Sequence, residues 1–159
     1  MERQGGTLER QSMSKSPHIL LIDPSHRDRD HYTQRLQASC FDLVVLHAIT
    51  GQAGLDLCNR RLVDCVVLEL DLPDMSGFEV LLRLVPHPQH PRIPVIILTR
   101  IANQYLLEAA INNGAHAALY KSVTSEEVLS NVILKAMASC LREVHHTPAL
   151  ARRIPCNTR

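Results

Sequence analysis

The chain has 159 residues, 45% of them hydrophobic and 21% charged, with 17 Lys and Arg against 16 Asp and Glu. That length suits one domain with its own core, and the mixed composition excludes a disordered or fibrous chain. No apolar run approaches the roughly 18 residues of a membrane span, and residues 1–15, with Glu2, Arg3, Glu9 and Arg10, lack the apolar centre of a signal peptide, so a cytoplasmic location without membrane contact is expected.

In chain order, residues 1–16 read as an N-terminal tail. Short apolar runs rich in β-branched residues follow at 19–22, 43–46, 65–68 and 95–98, with a weaker one at 117–120. The first four are almost purely apolar rather than alternating, the pattern of parallel strands covered on both faces. Helical spacing fills 29–39, 51–61, 77–85, 102–113 and a long stretch over 125–144. Asn113-Gly114 marks the stop of the fourth helix. The fifth opens on Thr124-Ser-Glu-Glu127, read as a capping box with Thr124 at the cap. It carries two apolar rows, Val128/Val132/Ala136/Cys140 and Leu129/Ile133/Met137/Leu141, wider than one sheet-facing seam needs. Strands alternating with helices predict an α/β fold, a (βα)5 doubly wound parallel sheet over residues 17–144. Residues 145–159, with Arg152, Arg153 and Arg159 and no acid, read as a basic solvated tail; without aromatic neighbours these arginines make a weak nucleic-acid footprint.

Cys40, Cys58, Cys65, Cys140 and Cys156 contain no C-x-x-C pair, so reduced thiols are expected. His87 with His90, and the pair His145-His146, have no acidic or cysteine partners at ligand spacing, which argues against a metal site there.

In doubly wound sheets ligands sit at the carboxyl ends of the strands. The residues that follow or close each run are Asp23, Glu69 with Asp71, Thr99 and Lys121. Acids, a hydroxyl and a lysine at one edge suit an oxyanion or phosphoryl site, in which carboxylates hold Mg²⁺ and the hydroxyl and ammonium donate to phosphoryl oxygens. Asp71 stands two residues beyond Glu69, on the same side if the strand continues extended, but the turn through Pro73 begins there and favours a solvated loop acid.

Four blocks, in order, carry a resemblance: Ile19-Leu-Leu-Ile-Asp23, Val66-Val-Leu-Glu-Leu-Asp-Leu-Pro-Asp-Met-Ser-Gly77, Ile93-Pro-Val-Ile-Ile-Leu-Thr99, and Gly114-Ala115 followed by Lys121. The chain resembles the receiver domain of bacterial two-component response regulators. That family implies a flavodoxin-like strand order 2-1-3-4-5 and phosphoryl transfer from a histidine kinase to an aspartate with Mg²⁺. Against it, the acceptor position is Glu69, the second metal-binding acid is replaced by Pro24, the lysine precedes Ser122 rather than proline, and the aromatic switch position is Ala118. Asp23, Thr99 and Lys121 stand as the family has them.

The resemblance and its departures lead to a degenerate, non-enzymatic signalling module that acts by protein–protein binding. Glu69 is expected within ion-pair reach of Lys121 and close to Thr99, either as a built-in phospho-mimic or as a structural ion pair. Asp23 and Asp71 are expected to hold Mg²⁺ weakly at most, with no other cofactor. The partners implied are a histidine kinase or a separate output protein, since only about fifteen residues follow the last helix. A homodimer through the fourth helix, fifth strand and fifth helix, including Tyr105 and Ala118, follows from the same resemblance. The alternatives are a phosphorylatable receiver using Glu69 or Asp71 with Mg²⁺, and an enzyme on the same architecture. Against a flavin enzyme, Pro24-Ser-His-Arg stands where a phosphate loop would be.

Overall fold

The computed structural model describes residues 16–39, 42–89 and 91–144. Both expected tails, Cys40, Cys156, His90 and His145-His146 lie outside the described residues, as does the side chain of Leu141. Five strands alternate with five helices: β1 (His18–Ile22), α1 (His26–Ser39), β2 (Val44–Ala48), α2 (Gly51–Arg60), β3 (Cys65–Leu68), α3 (Gly77–Leu84), β4 (Val95–Thr99), α4 (Gln104–Asn112), β5 (Ala117–Tyr120) and α5 (Glu126–Val144). All pairings are parallel, and the order is β2-β1-β3-β4-β5, the doubly wound flavodoxin-like arrangement.

The apolar runs split by the two-residue period of a strand. Leu20, Ile22, Val66, Leu68, Val95 and Ile97 face Leu55 of α2, Val80 and Leu81 of α3, and Ala110 of α4. Ile19, Leu21, Cys65, Val67, Ile96 and Leu98 face Tyr32 and Leu36 of α1 and Leu129, Ile133 and Ala136 of α5. Double-sided burial holds for β1, β3 and β4; the edge strands β2 and β5 are only partly covered, which explains why β5 reads weakly. Strand β2 runs to Ala48, past the polar His47, because its register with β1 continues to Ile22.

Helix ends differ from the sequence expectation where side-chain caps decide them. Helix α1 starts three residues early, because the Ser25 hydroxyl accepts from Asp28 N at 3.2 Å and the Ser25 carbonyl from Arg29 N at 3.1 Å. Helix α4 starts after Asn103, whose side chain accepts from Tyr105 N and Leu106 N. The cap of α5 is Ser125, not Thr124: its hydroxyl accepts from Val128 N at 3.3 Å. The two expected rows of α5 resolve into one stripe, with Leu129, Ile133 and Ala136 buried, Val132 and Met137 beside them, and Val128 46% exposed. Gly114 closes α4 at φ +92°, in the left-handed region open to glycine. At Gly77 a Cβ would stand 2.4 Å from the Glu69 carbonyl oxygen, so only glycine lets α3 begin this close to the end of β3.

Candidate functional site

The carboxyl ends of the strands deliver the polar residues to one edge of the sheet. Asp23 follows β1, Glu69 follows β3, Thr99 ends β4 and Lys121 follows β5. Asp23, Glu69 and Lys121 line an open cleft of about 350 Å³ together with Pro24, Asp71 and Arg100, while Thr99 is fully buried. Glu69 is 4% exposed and is surrounded by donors. Its Oε1 accepts from Leu70 N at 2.8 Å, from Asp71 N at 3.3 Å and from the Thr99 hydroxyl. Its Oε2 accepts from Arg100 N at 3.3 Å and lies 2.9 Å from Lys121 Nζ.

Lys121 binds two further acids. Its Nζ stands 2.5 Å from Asp23 Oδ2 and 2.8 Å from Asp28 Oδ2, with the lysine side chain only 7% exposed. An ammonium has three donors, and here each has its own carboxylate. Arg100 closes the network from outside through a forked pair with Asp28, Nε to Oδ2 at 3.1 Å and Nη2 to Oδ1 at 2.6 Å. Asp23 Oδ1 accepts from Ser25 N at 2.8 Å.

These contacts set the protonation states. Burial pushes the Asp28 carboxyl up, but hydrogen bonds from Arg100 and Lys121 outweigh it and hold the group at about 2. For Glu69, burial is likewise outweighed by Lys121 and Thr99, and its pKa lies below the ordinary glutamate value. Burial would lower Lys121, yet its hydrogen bonds to Asp23, Asp28 and Glu69 raise it well above the ordinary lysine value. The depressed carboxylates stabilise the fold above their unfolded pKa values, and that stability is lost as pH falls through the folded ones. We therefore expect a stability plateau through neutral pH and a decline from about pH 4.5 towards pH 2, tracked by urea midpoints across a pH series; a flat profile over that range would contradict this linkage.

Asp23, Glu69, Thr99 and Lys121 thus meet, with Glu69 paired to Lys121. Asp71 does not join them: its side chain is exposed at the mouth of the cleft without an ion pair, while its backbone bridges Ser76 and donates to Glu69. Ala118 is half-buried against the core on the α3–α4 side and brings no polar group. Asp28 and Arg100 are the members missed by the sequence reading. The spacing Ser25-His-Arg-Asp28 is a helix-start signature that would have put Asp28 in the first turn of α1, beside the site.

The residues do not fit the Mg²⁺ that the family would place here. Mg²⁺ wants its oxygens in near-octahedral geometry, whereas Asp23, Asp28 and Glu69 each commit a carboxylate oxygen to the Lys121 ammonium, at 2.5–2.9 Å. Pro24 offers no side-chain oxygen, and among the described residues no group of three His, Cys, Asp or Glu side chains is arranged to hold a metal ion.

A doubly wound sheet whose acids, hydroxyl and lysine converge at the strand ends defines an α/β domain of the flavodoxin-like class with a polar site at the carboxyl edge of its sheet. Residues 19–133 match the response regulator receiver domain, and the chain belongs to that family. It is 26% identical over 113 residues to the two-component response regulator ORR8 of Oryza sativa subsp. indica, covering 71% of this chain and 93% of that one. It is 30% identical over 135 residues to the nitrate/nitrite response regulator protein NarL of Escherichia coli K12, covering 78% of this chain and 62% of NarL. The signal receiver domain of an HD domain-containing protein from Pseudomonas fluorescens Pf-5 superposes with a TM-score of 0.75 at 26% identity, over 88% of this chain and all of that one. Among the described residues no helix is long and apolar enough to cross a membrane.

Proposed function

We propose that this receiver domain signals by protein–protein binding without accepting a phosphoryl group, Glu69 occupying the contacts that a phosphoryl group would use. The observation that carries this reading is the saturation of one buried carboxylate by the Thr99 hydroxyl, the Lys121 ammonium and the amides of Leu70, Asp71 and Arg100. The hydroxyl and ammonium are the groups that the family directs at phosphoryl oxygens. A carboxylate one methylene longer than aspartate reaches them from within, and it has no free oxygen to present to a donor. Displacing it would require breaking several charge-assisted hydrogen bonds in a buried site.

The test is incubation of the purified chain with a small acyl phosphate and Mg²⁺, read by intact mass. We expect no gain of a phosphoryl group. A gain mapped to Glu69 would overturn the reading, and one mapped to Asp71 would favour a phosphorylatable receiver, the exposed Asp71 carboxylate being the unpaired acid of the cleft. The partners we propose are a histidine kinase or an output protein. The docking face we propose is that of α4, β5 and α5, where Tyr105 is 82%, Val123 80% and Val128 46% exposed.

A further inference from the structure

The two-component reading treats the acidic pocket as a place for a divalent metal. This chain has already filled it from its own sequence. Three carboxylates from three elements, Asp23 after β1, Asp28 in α1 and Glu69 after β3, surround Lys121 Nζ at 2.5, 2.8 and 2.9 Å. That spacing is the length of a charge-assisted N–H···O bond, so each carboxylate has an oxygen committed to the ammonium.

The charges give the same answer. Asp23, Asp28 and Glu69 bring three negative charges, and Lys121 and Arg100 return two positive ones. That network is left with one net negative charge, to which the exposed Asp71 adds one at the mouth of the cleft, and a divalent ion approaching the inner acids meets a buried ammonium. Asp28 ties the ammonium to α1: its Oδ2 accepts from Lys121 at 2.8 Å while Arg100 Nη2 holds its Oδ1 at 2.6 Å.

We infer that Lys121 is the resident cation of this pocket, its ammonium standing in for the divalent metal, so that the chain as it stands excludes Mg²⁺ and removal of that ammonium opens a divalent-cation site. Metal exclusion stands on the contacts of Lys121 and is independent of whether Glu69 accepts a phosphoryl group. Removing the ammonium leaves the three carboxylates facing one another with only Arg100 nearby. They are then free to close on a doubly charged ion, Ca²⁺ at about 2.3–2.6 Å demanding less contraction than Mg²⁺.

The experiment is a titration of the whole chain and of its Lys121→Met variant with MgCl₂ and CaCl₂, followed by calorimetry and by the shift in thermal midpoint. The parent chain should give neither binding heat nor a shift beyond that of matched ionic strength. The variant should bind at least one of the two ions about tenfold or more tightly than the parent, and its midpoint should rise with that ion. A second variant, Lys121→Gln, removes the ammonium while its side-chain amide keeps a donor for one of the carboxylates. It guards against failure of the first to fold, and it too should bind a divalent ion. Mg²⁺ binding by the parent as tight as by the variants would overturn the inference, as would the absence of binding in both. Phosphoryl acceptance plays no part in these readouts, so failure here leaves the reading of Glu69 untouched.

Discussion

Replacing Lys121 by methionine is expected to cost about 3–5 kcal/mol of folding stability at neutral pH, the range for buried charges left without their partner. Methionine keeps most of the apolar stem, so the loss is electrostatic rather than a cavity. Asp23, Asp28 and Glu69 all lose the cation 2.5–2.9 Å away, and only Asp28 retains a guanidinium. Against a total of about 5–15 kcal/mol for a domain, this is a large share. It exceeds what a surface pair contributes, because the Lys121 side chain is 7% exposed and its partners are 4–12% exposed.

The pH dependence separates this account from a packing defect. In the parent Asp28 and Glu69 are held below their ordinary values, so protonating them costs stability. In the variant the same acids face one another without the ammonium, and their folded pKa values rise. A group whose folded pKa is raised is destabilising above it when the charged form is the acid's anion, and that penalty disappears as pH falls. The gap between parent and variant should therefore shrink from pH 7 towards pH 4 in urea unfolding. A gap of about 1 kcal/mol or less, the size of a surface pair, or one that stays constant with pH, would remove Lys121 from the centre of the network.

The sequence carried the sheet and the inner ring of the site because both are local in origin. A strand buried on both faces has to be apolar throughout, and the residue that ends it has to be where the strand ends; this makes Asp23, Glu69, Thr99 and Lys121 readable by position. Asp28 and Arg100 were not readable in the same way. Helix α1 is mostly polar, with Tyr32 and Leu36 its only buried apolar residues, so its apolar periodicity gives little hold on where it begins. Its start is decided by the Ser25 hydroxyl, and that start turns Asp28 towards the pocket. The Arg100–Asp28 pair spans 72 positions in the chain, a contact set by the sheet order rather than by any local pattern.

Asp71 reads differently, because the turn through Pro73 favours a solvated loop acid over an extended strand carrying its carboxylate beside that of Glu69; β3 ends at Leu68 and the Asp71 side chain is exposed. The Asp71 backbone bridges Ser76, and its amide rather than its carboxylate serves the site. Ser125 displaced Thr124 as the cap of α5 for a similarly local reason. Thr124 N is still held by the Tyr120 carbonyl at 3.1 Å in the turn after β5, so the first helical carbonyl belongs to Ser125.

The combined change Glu69→Asp with Pro24→Asp is expected to convert the chain from one that gains no phosphoryl group to one that does, with a small acyl phosphate and Mg²⁺ as reagents. Shortening residue 69 by one methylene withdraws the carboxylate from Thr99, Lys121 and the Arg100 amide, which then have donors to offer an incoming phosphoryl group. A displacement near 1 Å at a reacting atom is worth about 100-fold in rate, so the position of this carboxylate is a large term by itself. It is not sufficient alone, because Lys121 would remain clamped by Asp23 and Asp28. Pro24 is exposed beside Asp23, where an aspartate adds a second oxygen ligand at little cost to packing and draws a divalent ion towards the β1 end of the cleft. Glu69→Asp alone should therefore label slowly, the double variant at least about 100-fold faster than the parent, with the label on residue 69. Equal labelling of parent and double variant would mean that Glu69 never blocked the reaction. Failure of the double variant to label, while folding normally, would mean that the Lys121–Asp28–Arg100 clamp closes the pocket irrespective of residue 69.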